Sequence, residues 1–202
     1  MKIRPDELIY SGQFIPISRK KLADQVESRM GAKRFKHVLG VEETAIQLAD
    51  IYGVSIEAAS IAALCHDYAK ERPDQEMREL IVTEQLEEDL LDYGSSIWHG
   101  PCAAEIVKKE FQLLDEDILN AIRYHTIGRS QMSLLEQVIY VADFIEPGRN
   151  FPGVEEARTL AAKNLQEAVT YETQQTLMHL IKTKKKIYPK AVATFNTWVA
   201  NK

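Results

Sequence analysis

Five histidines in 202 residues are not an enrichment, yet four of them, with two aspartates, stand where imidazole and carboxylate could act together. His37, the adjacent His66 and Asp67, His99, His125 and Asp143 fall on five separate predicted helices, each near an end or on an apolar face. A single histidine on such a face is ordinarily a hydrogen-bonded core residue, so the set carries the argument and no member does. The His66-Asp67 doublet is the hardest to place without a ligand. It ends the apolar run IAALC, where two ionisable side chains cost several kcal/mol unless both are satisfied. A divalent cation satisfies them together. Imidazole and carboxylate donors without thiolate suit iron, manganese, zinc or nickel and disfavour a structural zinc knuckle. Cys65 and Cys102 match no C-x-x-C pattern and read as two small buried thiols.

The elements that must position these residues are helical from end to end. Ser18 reads as an N-cap, Leu22, Val26 and Met30 mark the first helix, and Gly31 offers a left-handed stop after about three turns. Val38, Val41, Ala45, Leu48 and Tyr52 give one face of a second helix that ends at Gly53. Ser55 then caps IEAASIAALCHD, whose all-round apolarity predicts burial. The charged stretch PDQEMRELIVTEQLEEDLLDYGSS predicts one or two covering helices before a Gly-Ser-Ser break. Further helices are predicted at about 99–111, at 116–125 after Asp115, and at 134–145, where Ser133 and Glu136 form a capping box. EPGRNFPG is a loop, and 154–202 holds two or three helices, the last starting near Pro189. The expectation is an all-α chain, one helical bundle over 1–202, with a metal-site core at about 34–158 and C-terminal helices at about 159–202 packed on it.

Composition agrees with a globular chain: 45% hydrophobic, 27% charged, 9 Gly and 7 Pro exclude a disordered or fibrous class. The net charge of −5 argues against a surface that tracks nucleic acid. Any phosphate ligand must meet locally concentrated positive charge. There is no run of 18 apolar residues, and MKIRPDELIY lacks the apolar stretch of a signal peptide. A cytoplasmic location is therefore expected, with neither membrane nor nucleic-acid partners.

The order His, His-Asp, His, His, Asp resembles the HD-domain metal-dependent phosphohydrolases in their two-metal version. The flanking segments RFKHVLGVEETA, CHDYAKERP, WHGPCAAE, AIRYHTIGR and MSLLEQVIYVADFIEPGRNFPGVEEAR are similar to those of the bacterial YqeK-type enzymes, the symmetrically cleaving diadenosine tetraphosphate hydrolases. The likeness spans about 34–158, with a weaker echo at KKIYP. It implies an HD-domain helical bundle in which His37, His66, Asp67 and Asp143 hold one divalent metal. Asp67 would bridge to a second metal held by His99 and His125. The resemblance implies iron as the metal, and a hydroxide between the two ions would be the nucleophile for in-line attack. The implied substrate is a dinucleoside polyphosphate and the product ADP, with a homodimer admitted as an assembly.

Around this centre lie the cationic side chains a polyphosphate requires. Lys70, three residues after Asp67, is expected to neutralise charge on the transferring phosphoryl group, making it with Asp67 a catalytic candidate. Arg34 lies one helical turn before His37, Arg72 follows the doublet, Thr126 and Arg129 flank His125, and Arg149 follows Asp143. These are the candidate substrate contacts, with Tyr188 as a residue that could stack on a base or pack before Pro189. The run KTKKK reads as a solvated face, and His179 as structural. Trp98 either shields the site from water or fills core. Two alternatives stay open: an HD phosphohydrolase acting on nucleoside mono- or triphosphates or cyclic nucleotides, and a nucleotide-binding sensor without turnover. His99 and His125 discriminate the first, because a one-metal enzyme has no evident use for them.

Overall fold

The computed structural model describes residues 3–200, so the outermost positions of the expected 1–202 span lie outside it. Ten α-helices and no strand occur among these residues. They are α1 (Arg19–Glu27), α2 (Ala32–Tyr52), α3 (Ile56–Cys65), α4 (Asp74–Thr83), α5 (Ser95–Glu110), α6 (Glu116–Tyr124), α7 (Leu134–Ile145), α8 (Val154–Ala161), α9 (Leu165–Lys182) and α10 (Pro189–Phe195). Capping follows the sequence. Ser18, Ser55, Asp115 and Asn164 each accept from backbone N–H groups in the first turn, and Ser133 with Glu136 closes a reciprocal capping box on α7.

The long α2 packs against α3 and α7, α6 packs against α5, α3 and α7, and α9 covers α7 and α8. One contiguous apolar cluster runs from Ile15 to Tyr188 through every α-helix except α10. α3 is buried along its whole length apart from the first turn, as its composition requires. The stretch after Pro73 forms α4 and a short 3-10 turn at Glu88–Asp92, with only Met77, Ile81 and Leu90 buried. That is the covering role its charge predicts.

Several boundaries differ from the sequence-based expectation. Gly31 is not a left-handed stop. Its φ of −71° and ψ of 155° make it the extended N-cap of α2, and α1 ends earlier, at Glu27. The α3 helix stops at Cys65, and the chain continues in tight turns: Tyr68 N–H donates to Cys65 O and Lys70 N–H to Asp67 O. α5 begins at Ser95, so His99 lies in its second turn and does not open it. The Gly-Ser-Ser break is a helix start, because Gly94 is extended and both serines enter the helix. Gly100 sets the spacing between α5 and α6. A Cβ there would stand 2.7 Å from the backbone oxygen of Arg123, so only glycine lets α5 approach the end of α6 this closely.

Candidate functional site

The six sequence-predicted ligand residues converge, although they come from widely separated segments. His66 and His125 each cap the C-terminus of a helix, α3 and α6, which are packed together. A helix leaves its last carbonyls without partners, and each histidine uses one: Nδ1 lies 2.6 Å from Ala63 O in His66 and 2.8 Å from Ile122 O in His125. His99 Nδ1 lies 2.9 Å from Ser95 O, and His37 Nδ1 lies 3.1 Å from Glu146 Oε1. A carbonyl or carboxylate oxygen can only accept, so Nδ1 carries the proton in all four rings. The four Nε2 lone pairs are left for the centre, an orientation typical of metal-ligating histidine.

What those lone pairs meet tests the metal assignment. His66 Nε2 is buried with no hydrogen-bond partner. His37 Nε2 faces Asp143 Oδ1 at 3.1 Å, and His99 Nε2 faces His125 Nε2 at 3.0 Å. Acceptors facing one another this closely repel unless a cation or proton lies between them. The donor atoms of His37, His66 and Asp143 fall within 4.8 Å of one another, as do those of His66, Asp67 and His125. His66 is common to both groups, and Asp67 reaches all four histidines. Its Oδ2 is 3.7 Å from His37 Nε2 and 3.5 Å from His66 Nε2, while its Oδ1 is 3.4 Å from His99 Nε2 and 3.8 Å from His125 Nε2. Each carboxylate oxygen thus addresses a different pair of histidines. These residues fit divalent metal.

Charge in the cluster is set by burial against mutual attraction. Burial opposes the Asp67 charge, but His66, His99 and His125 outweigh it and hold the carboxyl well below its ordinary range. Asp143 behaves likewise: burial is outweighed by His37, His66 and Arg149. Burial also opposes a charged His66, and the adjacent Asp67 more than compensates, raising its pKa. Burial and His66 push His125 down to about 4, while burial, His125 and Lys70 push His99 well down. A depressed histidine is fully stabilising above 6.5, and its contribution is lost as pH falls from there toward its folded value. His66, whose pKa is raised, is already protonated below 6.5 and changes little there, whereas Glu172, raised by burial, gains stability as pH falls toward 4.5 and offsets one of the two rings. The metal-free protein is therefore expected to lose on the order of 1–2 kcal/mol between pH 6.5 and 4.5, or roughly 2–8 °C in Tm. Thermal melts across that range check it, and a Tm that rises on acidification contradicts it.

The cationic residues divide into two groups. Arg34 Nη1 donates to Asp67 Oδ2 at 2.8 Å, Arg149 Nη2 to Asp143 Oδ1 at 2.5 Å, and Lys70 Nζ lies 3.2 Å from His99 Nε2. Thr126 Oγ1 is 3.1 Å from both His99 and His125 Nε2. Lys70 reaches the cluster without an α-helix, through a turn in which its N–H donates to Asp67 O at 2.9 Å. Arg72, Arg129 and Tyr188 are not brought to the cluster. Arg72 pairs with Glu76 and Glu110 over the Tyr68 ring. Arg129 forks onto Glu136 at 2.6 and 2.8 Å, tying down the start of α7. Tyr188 is buried, its hydroxyl donating to Glu87 and Asp89 at 2.9 Å each, so packing and not base stacking accounts for it.

Trp98 is buried and its indole N–H donates to Leu90 O, so it fills core. Both cysteines are buried and unpaired. His179, read as structural, lines a cavity of about 810 Å³ together with His125, Thr126, Asp143, Arg149 and Lys182. Glu146 has no counterpart among the sequence-predicted residues: it holds His37 through Nδ1, and a Cβ on Gly40 would stand 2.6 Å from its Oε2. The pairing of a glycine on α2 with an acid just past α7 carries no local signal. Glu172 is a second such residue. It is buried in the same cavity, and burial, with Asp143 nearby, raises it well above the carboxylate range against the pull of Arg149.

Comparison with known proteins places this arrangement in a family. The HD domain model matches residues 34–148. A symmetrical bis(5'-nucleosyl)-tetraphosphatase of Bacillus subtilis (strain 168) is 43% identical over 185 residues, covering 92% of this chain and 99% of the relative. One of Halalkalibacterium halodurans is 45% identical, over 89% of this chain and 96% of the relative. Among solved structures, an HD superfamily hydrolase of Clostridium acetobutylicum described as involved in NAD metabolism superposes with a TM-score of 0.87 at 38% identity, covering 92% and 99% of the two chains. No helix among the described residues is long and apolar enough to cross a membrane. With a His-Asp doublet at the centre of its buried histidines and the family model spanning more than half its length, the chain belongs to the HD-domain family of hydrolases.

Proposed function

We propose that this chain is a two-metal hydrolase that cleaves diadenosine tetraphosphate at its central phosphoanhydride, yielding two ADP. The observation that carries the reading is the placement of Asp67, whose two oxygens address different histidine pairs, as a carboxylate bridging two ions must. The names of the relatives support the substrate. His37, His66, Asp67 and Asp143 would hold one ion, and Asp67, His99 and His125 the other, with iron the metal of choice and manganese, zinc or nickel compatible with the same donors. Two divalent cations, when bound, supply a hydroxide for in-line attack and neutralise charge on the phosphate oxygens around the scissile bond.

The protein's own groups do the rest. The Nδ1 hydrogen bonds fix all four imidazoles before a ligand arrives. Arg149 and Arg34 screen the carboxylates, and their N–H groups not used there would meet phosphate oxygen. Lys70 is held partly buried, with its pKa lowered by that burial, beside the His99 ring, where its ammonium would face the phosphoryl group being transferred. Thr126 offers a hydroxyl between His99 and His125. Residues 1–202 act as one domain in this reading.

Product identification tests it. The metal-loaded enzyme should convert diadenosine tetraphosphate to ADP alone, whereas ATP plus AMP refutes symmetrical cleavage. Preferential turnover of nucleoside mono- or triphosphates or cyclic nucleotides would transfer the site to another substrate class. Lys70→Ala is expected to lower kcat by about 10- to 100-fold with KM changed little, because the ammonium acts on charge that appears in the transition state. An effect confined to KM would mark Lys70 as a simple binder.

A further inference from the structure

One face of α9 turned toward the ligand cluster is not explained by packing. Gln175, Thr176 and His179 follow Glu172 by three, four and seven residues and so share a side of the helix with it. All four line the cavity of about 810 Å³ that also contains His125, Asp143 and Arg149. Glu172 is the unusual member. It is 6% exposed, and its Oε2 is buried with no hydrogen-bond partner. A buried carboxyl oxygen without a partner is destabilising, and such groups are rare unless something outside the folded chain pairs with them. The other walls of the cavity supply what a nucleoside needs. Phe144 and Phe151, with ring centroids 4.8 Å apart and planes tilted by 56°, join Pro152 and Met178 in an apolar lining, while Arg149 stands at the ligand cluster.

We propose that Glu172 is a specificity-determining residue that recognises the nucleoside half of the substrate, its carboxyl pairing with an O–H or N–H donor of that nucleoside while the phosphates extend past Arg149 to the histidine cluster. The inference rests on the function proposed above and adds the group that reads the nucleoside. The donor can be a ribose hydroxyl or an exocyclic amine of the base, and both present the same chemistry to a carboxyl oxygen. The phosphates meet the cationic groups and the metal ligands, so the α9 face is left to distinguish nucleosides from other phosphate esters.

The test compares metal-loaded wild type, Glu172→Met and Glu172→Gln on diadenosine tetraphosphate, on its 2'-deoxy and 3'-deoxy analogues, and on the analogue whose purines lack the amine. ADP binding is measured in parallel by calorimetry. Met keeps the side-chain length without an oxygen and is expected to lower kcat/KM for the parent substrate 10- to 100-fold, mainly through KM, and to weaken ADP binding by a similar factor. Gln restores an acceptor and is expected to recover most of the loss. One analogue should lose as much in the wild type and little more in the Met variant, which identifies the donor by the closed cycle. If Met does not fold, Glu172→Ala serves in its place. Unchanged ADP binding, or an equal further loss on every analogue, overturns the inference. A wild type that binds ADP through Glu172 but does not split diadenosine tetraphosphate overturns the proposed activity and leaves the recognition role standing.

Discussion

Asp67→Asn is expected to reduce turnover by about three orders of magnitude or more and to leave at most one metal ion per chain. The carboxylate is 3% exposed and surrounded by four imidazole nitrogens at 3.4 to 3.8 Å, two on each oxygen. An amide of the same shape keeps one acceptor oxygen, loses the negative charge, and turns an N–H toward a position where a cation would sit. Loss of one charged ligand shared by two ions is worth several kcal/mol of transition-state stabilisation, and about 4 kcal/mol is a thousandfold in rate. Elemental analysis of purified protein, kcat and a thermal melt together check the prediction. Retention of a tenth of wild-type turnover would contradict the bridging role.

His99→Ala separates a two-metal centre from a one-metal centre. The wild type is expected to bind two equivalents, and the variant about one, with kcat reduced roughly 100- to 1000-fold. His99 contributes nothing to the group formed by His37, His66 and Asp143, so that ion should remain. If His99 were a core residue, the variant would keep its metal content and lose only stability. Its environment argues against that role: the ring Nε2 lies 3.0 Å from His125 Nε2 and 3.2 Å from the Lys70 ammonium, an arrangement no packing requirement favours. Gly100, the next residue, lets α5 come close enough to α6 to make this contact.

How much of the molecule is legible in the chain depends on how local each signal is. The helix starts at Ser18, Ser55, Asp115 and Ser133 are readable because a cap is a hydrogen bond within a single turn. Gly31 and Gly94 mislead for the converse reason: a glycine supports either a stop or a start, and the choice is made by where α2 and α5 have to lie. Arginine shows the same ambiguity. Arg34 and Arg149 stand at the ligand cluster while Arg72 and Arg129 are bound by Glu76, Glu110 and Glu136. All four lie within six residues of a sequence-predicted ligand, so nearness along the chain does not separate them. Glu146 and Glu172 escape notice in the sequence because an isolated acid on a helix or loop is ordinarily solvated, and only tertiary contacts bury them.

What the amino-acid order determined by itself is the all-helical architecture, the apolar α3 that must be interior, and a set of imidazole and carboxylate donors suited to divalent metal, since these depend on periodicity, composition and ligand chemistry. What only the tertiary structure decided is which donors face one another, that the two oxygens of Asp67 look in different directions, which cations stay near them, and that an unpaired acid on α9 lines the adjoining cavity. Those facts depend on distances between residues far apart in the chain. Such distances are set when helix faces pack, through contacts as short as that of Gly100 with the backbone of α6, and no local pattern encodes them.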